Sequence, residues 1–537
     1  MASALIVPLW MLRTILGEDP FNYLDYFEML GQIYNGDGSI RWRGFIEHQN
    51  EHLVLVPKVV IVANVILFDG SRVTLGLFVW LVAAALTAVI ALALRPLLRL
   101  TPWGRVAAVW TLVLFVFPIA AQHNFRLAIS GTAWTLANLL MVTAVLLAVR
   151  GHSLRAGLAG VAATLTYGTG LVVWPALVVV LVLRRRFERR DGLMLAMGVL
   201  AVLFERLTPS TSEPRPPLTL WLPTIGRNVT ATIGELFTDE TYLASLIGLG
   251  LIVISVISIV RLRPRWSGIA PSFAVACLAV PAISLILIAM SRSLLGIEAF
   301  GASRYMGVSA LFALYTAVLA LLAFGDTLVL RTTVLAFGAL SLFGTQQTTD
   351  DFDTRNRTIE LNAAAVYMGV GEEIAQYYFF VSDVVPALGH VPFDGSFDAD
   401  CGRWGDRLGS TEIVGSRRGE AGPPTETRNE AANRISGWTE ESSPDCLLII
   451  DADRTVVGIG VGNHPRSDGL PPDISPLTFP GFEAYVLVDH VAPLTVVARL
   501  EGDDTFVSVA EVPDADAART SDDPDTNGIR SDEEEES

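Results

Sequence analysis

Long apolar runs, most of them near the length of a bilayer crossing, dominate the first 344 positions. They fall at 2–16, 73–94, 104–121, 131–149, 156–183, 191–207, 241–260, 268–290, 303–324 and 327–344. A hydrocarbon core of about 30 Å asks for about 20 apolar residues per helix, so most runs predict one crossing each. The first run is short, as a signal-anchor, a cleaved signal or a span whose start site is set too late would be. The run 156–183 is interrupted by Thr166-Tyr167-Gly168-Thr169-Gly170 and by Trp174-Pro175. It predicts two short helices, 156–167 and 171–183, that meet inside protein, where neighbouring groups satisfy the broken backbone. Read this way, the pattern gives about 11 transmembrane helices.

After position 344 the period changes. Residues 345–432 mix a helix expected over Arg357 to Tyr378 with Gly- and acid-rich loops. Residues 433–512 hold short β-branched runs: Cys446 to Ile450, Thr455 to Ile459, Ala484 to Val488, Leu494 to Ala498 and Thr505 to Val512. Strands at about ten-residue spacing predict a β-sandwich. Residues 513–537 end in Asp532-Glu533-Glu534-Glu535-Glu536 and predict a disordered acidic tail. The expected class is a mainly α polytopic membrane protein, 1–344, followed by a mixed connector and an exported β-sandwich.

Composition sharpens this division. Charged residues make up 17% of the chain, against about 25% in soluble domains. Residues 345–537 hold 38 Asp and Glu against 13 Arg, whereas 1–344 hold 17 acids against 25 bases. Halves of opposite sign point to two environments, and a net charge of −17 with no basic face excludes a nucleic-acid partner. The segment 53–68 then decides the topology. It is mostly apolar but contains Pro57, Lys58 and Asn64. If it crosses, a cytoplasmic N-terminus leaves the Arg-rich loops outside. If it lies in the interface as an amphipathic helix, the clusters Arg95/Arg99/Arg105, Arg150/Arg155, Arg184 to Arg190 and Arg261/Arg263/Arg265 all fall on the cytoplasmic side. The positive-inside rule selects the second arrangement. The external segments are then 17–72, 122–130, 208–240, 291–302 and everything after about 345, in the plasma membrane of a cell.

Polar chemistry gathers in the first external loop, 17–72. Asp25 and Glu28 stand i,i+3, so a helix puts both carboxylates on one face. A carboxylate near lipid headgroups works as a general base when desolvation and a neighbour tune it. Glu47, His48, Glu51 and His52 cluster at the entrance to 53–68. His48 and His52 at i,i+4 make a divalent metal conceivable, but no third ligand stands in register; no metal site or cofactor is assigned. Arg126 and Arg304, the latter followed by Tyr305, lie at external ends of apolar runs, where a guanidinium fork suits a phosphate. Of three cysteines, Cys401 and Cys446 fall in the exported part, where an oxidising exterior permits a disulfide. Trp438 and Tyr485 are candidate stacking platforms for a sugar ring. Gly458, Gly460 and Gly462 lack the following helix of a dinucleotide fingerprint.

The stretch Glu47 to Lys58 (EHQNEHLVLVPK), Ser130-Gly131 with Trp134, Tyr167 to Leu171 with Trp174-Pro175, and Ser303-Arg304-Tyr305 together resemble the type C glycosyltransferases. The likeness is to the bacterial branch of these polytopic enzymes with an acid-bearing first external loop, and it covers roughly 1–344. The resemblance implies an envelope enzyme that takes a sugar from a polyprenyl-phosphate donor and passes it to an extracytoplasmic glycan or glycolipid acceptor. By position it implies Asp25 as base, with Glu51 and His52 as alternates; Glu28 and His48 line the substrate, and Arg304, Tyr305 and Arg126 steady the phosphate. The resemblance also covers 433–512, similar to β-sandwich modules appended to such enzymes. Two other readings of the same membrane fold are a non-catalytic envelope assembly protein and a lipid or polysaccharide transporter.

Overall fold

The computed structural model describes residues 5–17, 21–22, 25–49, 52–95, 101–208, 222, 224–238, 240–266, 268–291, 303–325, 327, 332, 336 and 338–339 of the helical part. Of the remainder it describes 361, 363–368, 383–390, 393, 404–409, 411–426, 432–440, 446–464, 481–487, 493–499 and 505–513. The chain divides into two compact units, Met1–Phe352 and Asp353–Ser537.

In the first unit the helices are α1 (Ile6–Leu16), α2 (Asp25–Ile33), α3 (Leu55–Phe68), α4 (Arg72–Ala93), α5 (Pro102–Val116), α6 (His123–Arg126), α7 (Ile129–Val149), α8 (Ser153–Thr164), α9 (Val173–Arg184), α10 (Arg189–Leu207), α11 (Ile225–Gly234), α12 (Thr241–Leu262), α13 (Ile269–Ser291) and α14 (Ser303–Phe324). Six apolar stretches among the described residues are long enough to cross a membrane: 72–93, 102–121, 129–149, 241–265, 269–291 and 305–324. Each matches an expected span. The count of 11 is not reached among the described residues. The first run forms a helix of 11 residues, α8 and α9 are 12 residues each, and α10 carries charges at both ends. Most of 327–344 lies outside the described residues. The long helices leave large apolar side chains facing outward, among them Leu81, Leu92, Leu246, Val256 and Val260, as helices bathed in lipid do.

The arginines gather at one end of the bundle. Arg150 donates to the Leu92 carbonyl (3.4 Å) and Arg184 to the Ala148 carbonyl (3.3 Å), which brings the C-termini of α4, α7 and α9 together. The N-terminal halves of α14 and α7 line one small cavity through Gly307, Val308 and Leu311 on one helix and Trp134, Thr135 and Asn138 on the other, so these two helices run the same way. Arg261, from the end of α12, donates to the Ala323 carbonyl at the end of α14 (3.1 Å). The loop 21–71 lies at the opposite end, around the start of α4. This arrangement follows if α3 does not cross.

Helices α8 and α9 start and finish at the arginine end. Twelve residues rise about 18 Å, so each is shorter than the about 30 Å of a bilayer core. The turn between them is a 3-10 segment, Gly168–Val172, as the Gly-Thr-Gly sequence predicts. Trp174 locks it by donating from its indole nitrogen to Thr164 Oγ1 (3.0 Å). At the arginine end, Asp191 is fully buried and accepts from Ser153 Oγ and from the Glu188 backbone N–H (2.8 Å), with Arg184 at 3.6 Å. One carboxylate therefore ties the start of α8, the end of α9 and the start of α10.

Among the described residues of the second unit, nine strands hydrogen-bond into one sheet, β3 to β11, ordered β3-β11-β10-β7-β8-β9-β6-β4, with β5 beside β6. They are β3 (Ile413–Ser416), β4 (Gly419–Ala421), β5 (Thr425–Glu426), β6 (Ala432–Thr439), β7 (Leu447–Ile450), β8 (Val456–His464), β9 (Gly481–Leu487), β10 (Leu494–Arg499) and β11 (Phe506–Val512). All pairs are antiparallel except β11 with β3. The five expected strands are present as β7 to β11. The sheet curls until Gly419 of β4 lies against Val509 of β11, so the two facing layers expected of a sandwich are parts of one curled sheet. Alternation explains the unbroken apolar run of β7. Leu447 and Ile449 enter the core with Ile435, Phe482 and Val496, while Leu448 and Ile450 pack on the other face with Leu408 and Phe506. Residues 361 and 363–368 cover the part of that face near Tyr485, where they place Leu361, Ala364 and Ala365; the rest of the helix expected over 357–378 lies outside the described residues.

Breaking a buried pair by removing one partner costs about 3–5 kcal/mol. Asp191→Ala should therefore lower the thermal midpoint of the detergent-solubilised protein by several degrees and speed proteolysis between α9 and α10. An unchanged midpoint would remove the carboxylate from its tying role.

Candidate functional site in the first loop

The loop between α1 and α4 folds around one buried cation. Lys58 lies in the first turns of α3, and its side chain is fully buried. Its ammonium donates to the carbonyls of Gly44 (2.6 Å) and Glu47 (2.7 Å). Burial lowers its pKa to about 8, with the carboxylates of Glu47 and Glu28 pulling it up and Arg41 pushing it down. The two carbonyls belong to the middle and the C-terminal cap of a 3-10 turn, Trp42–Ile46. Gly44 is required there: a Cβ at this position would stand 1.7 Å from the Gln32 carbonyl oxygen. Arg41 closes the far side, donating to Gln32 O (2.9 Å) and pairing with Glu47 at 2.6 Å.

Helix α2 turns its apolar residues Tyr26, Phe27, Met29, Leu30 and Ile33 inward. Asp25 and Glu28 fall on one face, as the i,i+3 spacing predicts, and Glu28 is half-buried. Gln49 Nε2 donates to Glu28, while Gln49 Oε1 accepts from Gln32 Nε2 (3.1 Å). Burial raises the Glu28 pKa above the ordinary carboxylate value. The Gln49 hydrogen bond opposes that rise, the neighbouring Asp25 adds to it, and the Lys58 charge opposes it. The result is a carboxylate pair with one member tuned upward, inside a folded polar cluster.

Gln49 is in position because β1 (His48–Gln49) pairs antiparallel with β2 (His52–Leu53). In its register Gln49 opposes His52, and His48 opposes Leu53. Opposed residues share a face and neighbours alternate, so the two imidazoles point to opposite sides. The helical i,i+4 spacing that would have allowed a shared metal does not occur. Among the described residues, no group of three or more His, Cys, Asp or Glu is placed to hold a metal ion.

The β1–β2 pair seats the loop on the membrane helices. The His52 ring meets Tyr167 at 4.6 Å, Tyr167 meets Trp134 at 4.7 Å, and Trp134 meets Tyr305 at 5.7 Å. A Cβ on Gly168 would lie 2.2 Å from His52 Nδ1. The Val56 backbone N–H donates to the Leu165 carbonyl (3.0 Å). The sequence segments singled out separately, at 47–58, 134, 167–171 and 305, thus converge on one region.

Arg126 is buried in α6 beside α4 and α7. Glu51, Cys401 and the Arg304 side chain lie outside the described residues. Cys446 is disulfide-bonded and Cys277 is a buried free thiol. Trp438 and Tyr485 are both buried. The Trp438 indole N–H donates to Glu420 (3.3 Å), and Tyr485 packs on Leu361 and Ala365, so neither offers an open face and the sugar-stacking role is withdrawn. A cavity of about 20 Å³ between α4, α5, α7 and α14 has Asn124, Thr135 and Asn138 in its wall; it has room for one water. No family model matches this chain, and neither the curated proteins nor the solved structures contain a match.

Gln49 and Lys58 both favour the ionised form of Glu28, so removing either raises its pKa further. In pH-difference infrared spectra, with Glu28→Gln subtracted, the protonated Glu28 band should persist above pH 4.5. It should persist to higher pH still in Gln49→Leu. A Glu28 band that vanishes below pH 4.5 in the wild type would show a solvated carboxylate.

Proposed function

We propose that this chain is an envelope glycosyltransferase of the type C kind, drawing its sugar from a polyprenyl-phosphate donor. The observation that carries the reading is the Asp25–Glu28 pair, with one carboxyl desolvated, inside a loop folded onto an interrupted helix pair. A general base needs such tuning and such a fixed position. The arginine end of the bundle is assigned to the cytoplasm by the positive-inside rule, which puts the acid-bearing loop at the outer leaflet. Nucleotide sugars are cytoplasmic, so a donor for an outward site is membrane-borne.

In this mechanism the acceptor hydroxyl oxygen attacks the anomeric carbon and its proton passes to the carboxylate pair. Asp25 is the positional match for the base, and Glu28 is the member whose pKa its surroundings raise. The sugar–phosphate bond breaks and the polyprenyl phosphate leaves with the bonding electrons, which inverts the anomeric centre. Arg304 and Arg126 are the assigned cations for the departing phosphate, where growing charge rewards a fixed guanidinium.

Loss of a general base typically costs 10²–10⁴ in rate. Transfer from a radiolabelled polyprenyl-phospho-sugar in proteoliposomes should fall by that order in Asp25→Asn or Glu28→Gln while the protein stays folded. Unchanged transfer in both variants overturns the assignment of the pair. A wild-type protein that binds the lipid-linked sugar without transferring it would favour the non-catalytic reading.

A further inference from the structure

The 3-10 turn that Lys58 anchors carries an exposed apolar tip. Trp42 is 76% exposed and Ile46 43% exposed, and the Trp42 ring stacks on Phe45 at 5.7 Å. Arg43, also exposed, stands between them. The exposed Trp42 contrasts with Phe21, Tyr26, Phe27 and Tyr34 of the same loop, which are all inside.

We infer that Trp42, Phe45 and Ile46 form a wedge that inserts into the headgroup–acyl boundary of the lipid leaflet, with Arg43 on the lipid phosphates. Continuity with the lipid-facing surface of α3 identifies the occupant. Val59, next to Lys58, is half-exposed, and Ile66, Leu67 and Phe68 further along α3 are exposed. Lys58 joins the two surfaces through its bonds to the carbonyls of Gly44 and Glu47, so the turn and the helix share one anchor. The composition fits the interface rather than the hydrocarbon: an amphipathic indole, a stacked phenyl and one exposed cation, a residue type whose long stem lies in apolar surroundings while its head stays in water. A buried lysine is costly to maintain, and fixing the wedge relative to α3 gives it a purpose.

The inference needs only the membrane placement of the first unit and is independent of any transferase activity. The full chain would be placed in nanodiscs of zwitterionic and anionic phospholipid, with an environment-sensitive fluorophore on Trp42→Cys or, as reference, on Gly36→Cys. Gly36 is an exposed position of the same loop, outside the wedge, and Cys277 is buried. The probe at 42 should be blue-shifted, quenched more by lipids brominated near the headgroup than near the chain end, and shielded from aqueous iodide. The probe at 36 should show the reverse. Equal iodide quenching at both positions, with no bromolipid quenching at 42, puts the wedge in water and overturns the inference.

Discussion

A peptide group inside a bilayer has no water to bond, and leaving one unpaired costs several kcal/mol. The interruption at 165–172 meets that constraint in the middle of the helical unit. Thr164 and Thr166 bond back to carbonyls of their own helix (3.1 and 2.7 Å), and the 3-10 turn is closed by Gly170 N–H to Tyr167 O (2.7 Å). The Leu165 carbonyl is satisfied from outside its own helix, by Val56 N–H. The first loop is therefore part of the membrane domain's backbone pairing as well as its cover. From that one docking follow the close contact of His52 on Gly168, the aromatic chain from His52 to Tyr305, and the direction in which α3 leaves.

Once α3 starts at that point, Lys58 is carried into the protein and must be accommodated. Its two carbonyl acceptors lie in the middle of the 3-10 turn and at its C-terminal cap, and the carboxylates of Glu28 and Glu47 supply opposite charge. The arrangement couples the turn, the β1–β2 pair and α2. Gln49 reaches Glu28 because that strand pair places it there, and Arg41 holds Glu47 beside the ammonium. The tuning of Glu28 is thus a consequence of how the loop is packed: Gln49 acts on it directly through its hydrogen bond, and changes at Lys58 or Gly44 reach the acid pair through the packing around it.

Much of this was legible in the sequence, for physical reasons that differ by element. The six long spans and the short pair α8–α9 could be read because apolar length and the Gly-Thr-Gly interruption are properties of contiguous residues. Segment 53–68 could be read as interfacial because charge placement constrains topology globally, and α3 is 14 residues long, shorter than a crossing asks for. Strands β7 to β11 followed from β-branched runs, whereas β6 is mixed in polarity (Ala-Asn-Arg-Ile-Ser-Gly-Trp-Thr) and gave no clear alternation. Lys58 as a hub was hidden because its partners are backbone carbonyls, which carry no side-chain identity. Gln32 and Gln49 looked like ordinary polar positions, and a pair of two-residue strands is too short for a period. Trp438 and Tyr485 looked open only because sequence does not show which face of a curled sheet is covered.

The central claim is that the first loop and the interrupted helix pair form one packed unit through Gly168 and Leu165. Gly168→Ala tests it most directly, since the added carbon would meet the His52 ring while α8 and α9 retain their own hydrogen bonds. Hydrogen exchange read by mass spectrometry on nanodisc-embedded protein should show faster exchange across 25–61 in the variant, with α4 and α7 as protected as before. Exchange in 25–61 identical to that of the wild type would contradict the claim and leave the loop as an independent cover.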